Sequence, residues 1–411
     1  MILHETVTPF GRDLQNVHME LRSFFEFKRF TGTEHRDFAQ VSVPVYENEF
    51  WTSKQRAGHS LHEVSYRACY KPQLPDFFIR RFAKQGSHVY DPFMGRGTTL
   101  IQARLRGCEV IGNDTNPLAG VLAGPRLNPP SCDEVVVRLA EVRLNQTGDT
   151  NDELLVFFHP RTLAEILSWR NYFQRQRLAA KFDHVDAWIE MVICNRLTGH
   201  SSGFFSVYTL PPNQAVSVES QHKINEKRKQ APEYRDTKRL ILKKTRQLLS
   251  DPLPTDYPTT AARLIAGPAD STPEIRDASV DLIITSPPFL DTVDYLQDNW
   301  LRMWFCQIEL SRPKLWQFRR LDDWLEKMTS CFTEFRRVLA DDGLIAFEVG
   351  EIRKGVLQLE NQVIQAAVEA GLRPQCVLIN SQQFTKTANC WGVKNNRDGT
   401  NSNRIVLLRK R

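Results

Sequence analysis

The chain has 411 residues, 41% of them hydrophobic and 25% charged, a composition that fits a folded protein with a core plus an insertion or second domain. No run approaches the ~18 continuous apolar residues that a membrane-spanning helix requires. The opening residues, MILHETVTPFGRDLQNVHMEL, lack the unbroken apolar stretch of a secretory leader, so a cytoplasmic protein with no membrane contact is expected. A net charge of +6 suits a polyanionic partner without demanding one.

Residues 1–60 mix aromatic and charged side chains without a clear period and carry no assignable role. GSHVYD (86–91) is a short apolar run ending in an acid and reads as a buried strand. MGRGTTLIQARLRG (94–107) gives a glycine turn and then apolar residues at helical spacing, closing on Gly107. CEVIGND (108–114) reads as a second strand, so the unit opens a doubly wound α/β sheet. From about 125 to 255 the pattern turns mainly helical and increasingly charged, with a loop-like interruption at GHSSGFFSVYTLPPNQ (199–214). Strand patterns return at 261–267, 280–286, 342–350, 374–380 and 404–410, with a helix over 325–340. The expected organisation is an N-terminal extension (1–60), a sheet domain built from 61–130 and 255–411, and a helical insertion (131–254).

The eight cysteines, Cys69, Cys108, Cys132, Cys194, Cys306, Cys331, Cys376 and Cys390, include no C-x-x-C pair. Neither a zinc site nor a redox pair is expected; reduced, buried thiols are.

In DPFMGRGTT (91–99), Gly95 and Gly97 stand where a strand gives way to a helix. Glycine there permits a tight turn and lets a ligand approach the backbone N–H groups closely. Asp114 ends the next strand, where an acid commonly accepts from ribose hydroxyls. The third glycine of the dinucleotide fingerprint is missing, which argues against a nicotinamide or flavin cofactor.

DPFMGRGTT followed by VIGNDTNPLA resembles motifs I and II of the S-adenosylmethionine-dependent DNA amino-methyltransferases. The resemblance implies a Rossmann-like, mostly parallel seven-stranded sheet. It also implies that Asp91, Phe93, Gly95, Gly97 and Thr98 line S-adenosylmethionine, with Asp114 on the ribose and Asn116 beside it. SYRACYKPQLPDFFI (65–79) is similar to motif X, placing Tyr66, Lys71 and Pro72 at the methionine end of the cofactor. Asp270 is a looser match to the motif III acid near the adenine, because Pro268 and Ala269 separate it from Gly267. No metal is implied.

Ser286-Pro287-Pro288-Phe289 follows a strongly apolar strand. Two prolines cannot continue a ladder, so the chain turns away at the strand's C-terminal edge, where open α/β sheets bind ligands. The tetrapeptide resembles motif IV of the same family. An exocyclic amino nitrogen is a poor nucleophile, its lone pair being delocalised into the ring. The Ser286 hydroxyl and the Pro287 carbonyl can each accept from that NH2 and aim the lone pair at the methyl donor. Phe289 would stack on a base flipped from the duplex. Cytosine C5 chemistry is excluded by the lack of a Pro-Cys pair. Serine rather than aspartate in the first position leans toward cytosine N4 over adenine N6.

The motif order resembles that of the α class, in which recognition elements lie between the cofactor and catalytic halves. Within that interval, 222–249 is rich in basic residues, among them Lys223, Lys227, Arg228, Lys229, Arg235, Lys238 and Arg239. They read either as a solvated helix face or as phosphate contacts to double-stranded DNA, and the methyltransferase motifs favour the second. The polar and aromatic loop at 199–214 would then present groups to bases. The tail at 386–410, rich in Asn, Lys and Arg, reads equally as an approach to the substrate edge or as an ordinary polar hairpin. An RNA amino-methyltransferase and a non-catalytic, cofactor-holding DNA binder remain as alternatives. A cognate restriction enzyme acting on the same site, unbound to this chain, is expected from family habit alone.

Overall fold

The computed structural model describes residues 34–38, 41–51, 58–145, 152–210, 214–288, 294–309, 315–316, 318, 320–349, 351–352, 357–381, 389–390, 393–394 and 402–410. Its centre is a nine-stranded sheet, which we number in chain order. The strands are β1 (Glu34–Phe38), β2 (Val41–Asn48), β3 (His88–Asp91), β4 (Glu109–Asp114), β5 (Arg263–Ala266) and β6 (Val280–Thr285). Then come β7 (Leu339–Val349), β8 (Arg373–Ser381) and β9 (Ser402–Arg409).

The spatial order is β1-β2-β8-β9-β7-β6-β3-β4-β5. Strands β5, β4, β3, β6 and β7 run parallel, and β9 inserts antiparallel between β7 and β8. Seven strands in this order make the expected Rossmann-like sheet. Two further strands come from the N-terminal extension, whose β1–β2 hairpin pairs through β2 parallel to β8. The sheet is therefore wider than expected by that hairpin.

Every interior strand has two buried faces, which is why these segments read as apolar runs rather than alternating ones. Leu282, Ile284, Leu344 and Ala346 point into one core and Ile283, Ile345 and Phe347 into the other, the period-2 rule of a strand. The second core is covered by α10 (Leu321–Val338) and α11 (Glu360–Glu369), through Met328, Phe332, Phe335 and Val363. The first is covered by α1 (Gln73–Phe82), α2 (Thr98–Arg104), α3 (Pro117–Leu127) and α9 (Tyr295–Phe305).

Between β4 and β5 the described chain is helical: α3, then α4 (Cys132–Glu141), α5 (Pro160–Leu178), α6 (His184–Arg196), α7 (Val218–Arg228) and α8 (Thr237–Leu248). Side-chain caps fix several starts, including a Ser131–Glu134 capping box on α4 and Asp183 on α6. Trp169 of α5 and Trp188 of α6 are wholly buried in the same apolar cluster as Leu100 of α2 and Leu282 of β6. These helices thus share a core with one face of the sheet. No helix among the described residues is long and apolar enough to cross a membrane.

Candidate active site

The strand order reverses between β3 and β6, with β4 and β5 on one side and β7 on the other. A crevice opens at such a switch point, outside the C-terminal ends of the strands. Here a cleft of ≈ 880 Å³, mouth included, lies against the ends of β3, β4 and β6.

The turn after β3 forms one wall. The buried Asp91 carboxylate accepts from Phe93 N at 3.1 Å, the Thr285 hydroxyl at 2.6 Å and the Tyr70 hydroxyl at 3.1 Å. It thereby ties β3 to the end of β6 and to the segment before α1. Burial pushes its pKa up to about 6 against those hydrogen bonds. Asp114 at the end of β4 accepts from Gly95 N and Asn116 N, each at 2.9 Å. It is likewise pushed up to about 6 by burial. Asn116 caps α3 by accepting from Leu118 N at 3.0 Å. Its side-chain nitrogen is buried without a hydrogen-bond partner among the described residues.

Gly95 and Gly97 both have positive φ, +48° and +79°. Only Gly95 faces the cleft, with the Tyr66 ring as its nearest neighbour. A Cβ on Gly97 would stand 2.7 Å from the Ala123 Cβ, so that glycine serves the packing of α3.

Ser286, Pro287 and Pro288 enter the same cleft from the end of β6. The Trp324 indole of α10 donates to the Pro288 carbonyl at 3.1 Å and fixes the turn from behind. The Ser286 hydroxyl is hydrogen-bonded to the buried Glu348 carboxylate at the end of β7. Phe289 lies outside the described residues.

Among the expected residues, Tyr66, Asp91, Phe93, Gly95 and Thr98 line this cleft with Asp114, Asn116 and the Ser-Pro-Pro turn. Lys71 and Pro72 do not; they lead into α1, and Cys69 and Tyr70 line the cleft in their place. Asp270 also stands outside the lining, paired with Lys327 of α10 at 2.5 Å, while Gly267 and Ala269 of the same loop reach it. Tyr295 and Trp316 complete the walls, and neither was singled out in the sequence. Trp316 packs edge-on to Phe93 at 5.9 Å, with Lys327 Nζ 4.6 Å from its ring. An aromatic residue a few positions past the Ser-Pro-Pro turn was the available signal for Tyr295. Trp316 had none.

The seven basic residues expected to face DNA differ in exposure and in their partners. Lys223, Lys227, Arg228, Lys229 and Arg239 are exposed, though Lys223 pairs with Glu219 and Arg228 lies over the Tyr208 ring at 3.7 Å. Arg235 pairs with Glu233 at 3.0 Å, and Lys238 donates to the Val142 carbonyl at 2.6 Å. The aromatic loop expected to present groups to bases instead buries Phe204 and Phe205. Gly199 is so close to Phe204 that a Cβ there would meet the ring at 2.4 Å. Past this loop, Ala215 N donates to the Asp298 backbone carbonyl at 2.9 Å, and the Asp298 carboxylate pairs with Arg67 at 2.9 Å. The loop's far end, α9 and the Tyr66 segment are thus joined at the cleft rim. Of the tail at 386–410, residues 389–390, 393–394 and 402–410 are described, the last including β9. Among the described residues no group of His, Cys, Asp and Glu is placed to hold a metal ion.

Residues 19–119 match the family model described as DNA methylase, the N6/N4 amino-methyltransferases. The Type II methyltransferase M.MjaII of Methanocaldococcus jannaschii is 31% identical over 103 residues, 25% of this chain and 19% of that one. M.MvaI of Kocuria varians, also a Type II methyltransferase, is 35% identical over 81 residues, 19% of this chain and 17% of that one. Each match spans less than a fifth of the relative's length. The crystal structure of TrmN from Thermus thermophilus superposes with a TM-score of 0.34 at 12% identity, over 86% of this chain and 52% of that one. That likeness is too distant to bear on the fold. The matched segment runs through the Asp91–Gly95 turn to Asp114 and Asn116, and over this quarter of its length the chain is similar to the N6/N4 amino-methyltransferases.

Proposed function

We propose that this chain is an amino-methyltransferase that methylates double-stranded DNA, using S-adenosylmethionine and acting on the N4 amino group of cytosine. One observation carries the reading: the Ser286-Pro287-Pro288 turn and the Asp114–Gly95 turn open onto a single cleft from neighbouring strand ends.

The cleft suits the cofactor on its own chemistry. Asp114 has lone pairs left for a vicinal diol after accepting two backbone N–H groups, and the buried Asn116 side-chain nitrogen is an unused donor beside it. Gly95 leaves the floor open, and Tyr66 and Phe93 offer aromatic walls. S-adenosylmethionine supplies a methyl group on a sulfonium.

The chain's own part is to bind, orient and keep water out. Ser286 Oγ and the Pro287 carbonyl are the acceptors proposed for the target NH2, and they weaken the conjugation of its lone pair with the ring. Trp324, through the Pro288 carbonyl, holds that turn in place. Neither acceptor can be reached by an amino group within a duplex, so the target base is flipped out. The exposed lysines and arginines of α7, its C-cap and α8 supply phosphate contacts. Serine at position 286 supports cytosine over adenine. Such an enzyme acts in the cytoplasm, and a restriction enzyme of the same specificity is its natural counterpart.

Transfer of labelled methyl from S-adenosylmethionine to duplex DNA tests this reading, with structured RNA as the comparison substrate. Duplex labelling lost in Ser286→Ala and Pro287→Ala, with cofactor binding kept, supports it. Labelling of RNA alone, or undiminished turnover in both variants, overturns it.

A further inference from the structure

One residue breaks the buried apolar run of β7, Gly343–Val349. Glu348 is 5% exposed, near the strand's C-terminal end, and its neighbour Phe347 pairs with Thr285 of β6. That register brings Glu348 level with Ser286. Its carboxylate accepts from the Ser286 hydroxyl on one side and from Asn403 Nδ2 of β9, at 2.9 Å, on the other. Ser286 lines the cleft whereas Glu348 does not, so Glu348 acts on the cleft through that serine.

An ionised carboxylate has no hydrogen to give. The single hydroxyl hydrogen of Ser286 must therefore point away from the cleft, toward Glu348, leaving the oxygen's lone pairs on the cleft side. We propose that Glu348 is a positioning residue that makes Ser286 solely an acceptor toward the amino group to be methylated. This rests on the amino-methyl transfer reading above. A protonated Glu348 donates to Ser286 Oγ and frees the serine hydrogen to turn into the cleft. There it competes for the nitrogen lone pair that must attack, so the ionised form is the productive one.

Among the described residues, the groups facing Glu348 are Ser286 after β6, Asn403 on β9, and Tyr70 before α1, whose phenol feels the Glu348 charge and donates to Asp91. Arg404, next on β9, is held by Glu360 at 2.6 Å. Burial raises the Glu348 pKa, and the Ser286 and Asn403 hydrogen bonds oppose the rise.

Two measurements test the proposal. Carbon-13 carboxyl NMR of glutamate-labelled protein, with Glu348 assigned by Glu348→Gln, should show a raised titration that Ser286→Ala lifts further, by roughly half a unit or more. A titration indifferent to Ser286→Ala overturns the proposal without reference to activity. Single-turnover methyl transfer at saturating cofactor should fall roughly 10- to 100-fold in Glu348→Gln, with cofactor affinity unchanged and the acid limb of the rate moved to lower pH. Glu348→Asp should recover part of the rate and of the limb. An active wild type with the same rate and limb in Glu348→Gln overturns the proposal and leaves the methyltransferase reading standing. A wild type that transfers no methyl to any nucleic acid overturns both.

Discussion

Tyr66 and Tyr295 stack with ring centroids 6.0 Å apart and planes 20° from parallel, although one precedes α1 and the other opens α9. The Arg67–Asp298 ion pair beside them fastens the same two segments. Both rings line the cleft, and burial raises both phenol pKa values, so they are neutral walls across the physiological range. Tyr295→Ala should weaken S-adenosylhomocysteine binding roughly 10-fold, about 1.4 kcal/mol, whereas Tyr295→Phe should preserve it. Calorimetric titration measures both, and full affinity in the alanine variant would remove Tyr295 from the binding wall.

The two glycines of the turn should fail differently. Gly97→Ala forces a side chain into a left-handed conformation and against Ala123. It should lower stability by at least about 2 kcal/mol in urea unfolding. Gly95→Ala meets only ordinary contact with Tyr66, at 3.5 Å, and should cost about 1 kcal/mol while weakening cofactor binding by filling the floor of the cleft. Equal stability losses in the two variants would contradict this division of roles.

Asp114 gives a pH dependence of known sign. Its folded pKa, about 6, lies above the ordinary 3.8, so the folded chain holds this proton more tightly than the unfolded one. The contribution to stability is full below about pH 4 and is lost as pH rises through about 6. Asp114→Asn lacks that loss. The stability of Asp114→Asn relative to wild type should therefore rise between pH 4.5 and 7.5, by about 2 kcal/mol. On the proposed reading, in which the ionised Asp114 accepts from the ribose, cofactor affinity should rise with pH in the wild type and stay low in the variant. A relative stability that is flat with pH would mean that Asp114 is not desolvated as placed.

Lys227 and Lys229 are exposed, whereas Lys238 is committed to the Val142 carbonyl at the end of α4. Replacing Lys227 and Lys229 with alanine should weaken binding to all duplex sequences and lower the salt slope by up to about 2. Lys238→Ala should cost roughly 1 kcal/mol of stability and leave that slope unchanged. Duplex affinity at several salt concentrations separates the two, and an unaltered slope in the double variant removes the α7 end from the DNA face.

The cofactor half was legible because its signals are local. A buried strand, a glycine turn and an acid at the next strand end are read along one stretch, and β3, β4, β6 and α2 lie where the pattern puts them. The β1–β2 hairpin was not legible: β1 is charged and forms the sheet edge, where an apolar run is not needed, and Pro44 interrupts β2 beside it. Glu348 and Trp316 reach the site through tertiary packing alone. The Cys194 and Cys306 sulfurs, 3.2 Å apart between α6 and the end of α9, likewise lie beyond any spacing rule. A charged stretch reads as one surface in sequence, but α7 and α8 divide it and α8 turns Lys244 inward beside Glu63.

The most direct measurement is mass spectrometry of nucleosides from plasmid DNA of a methylation-free host expressing this chain. The account predicts N4-methylcytosine, absent when the host carries the Ser286→Ala variant. N6-methyladenine would keep the amino-transfer chemistry and contradict the choice of base drawn from Ser286. DNA free of methylated amino groups, from a host in which the protein is folded and binds S-adenosylmethionine, would contradict the central claim.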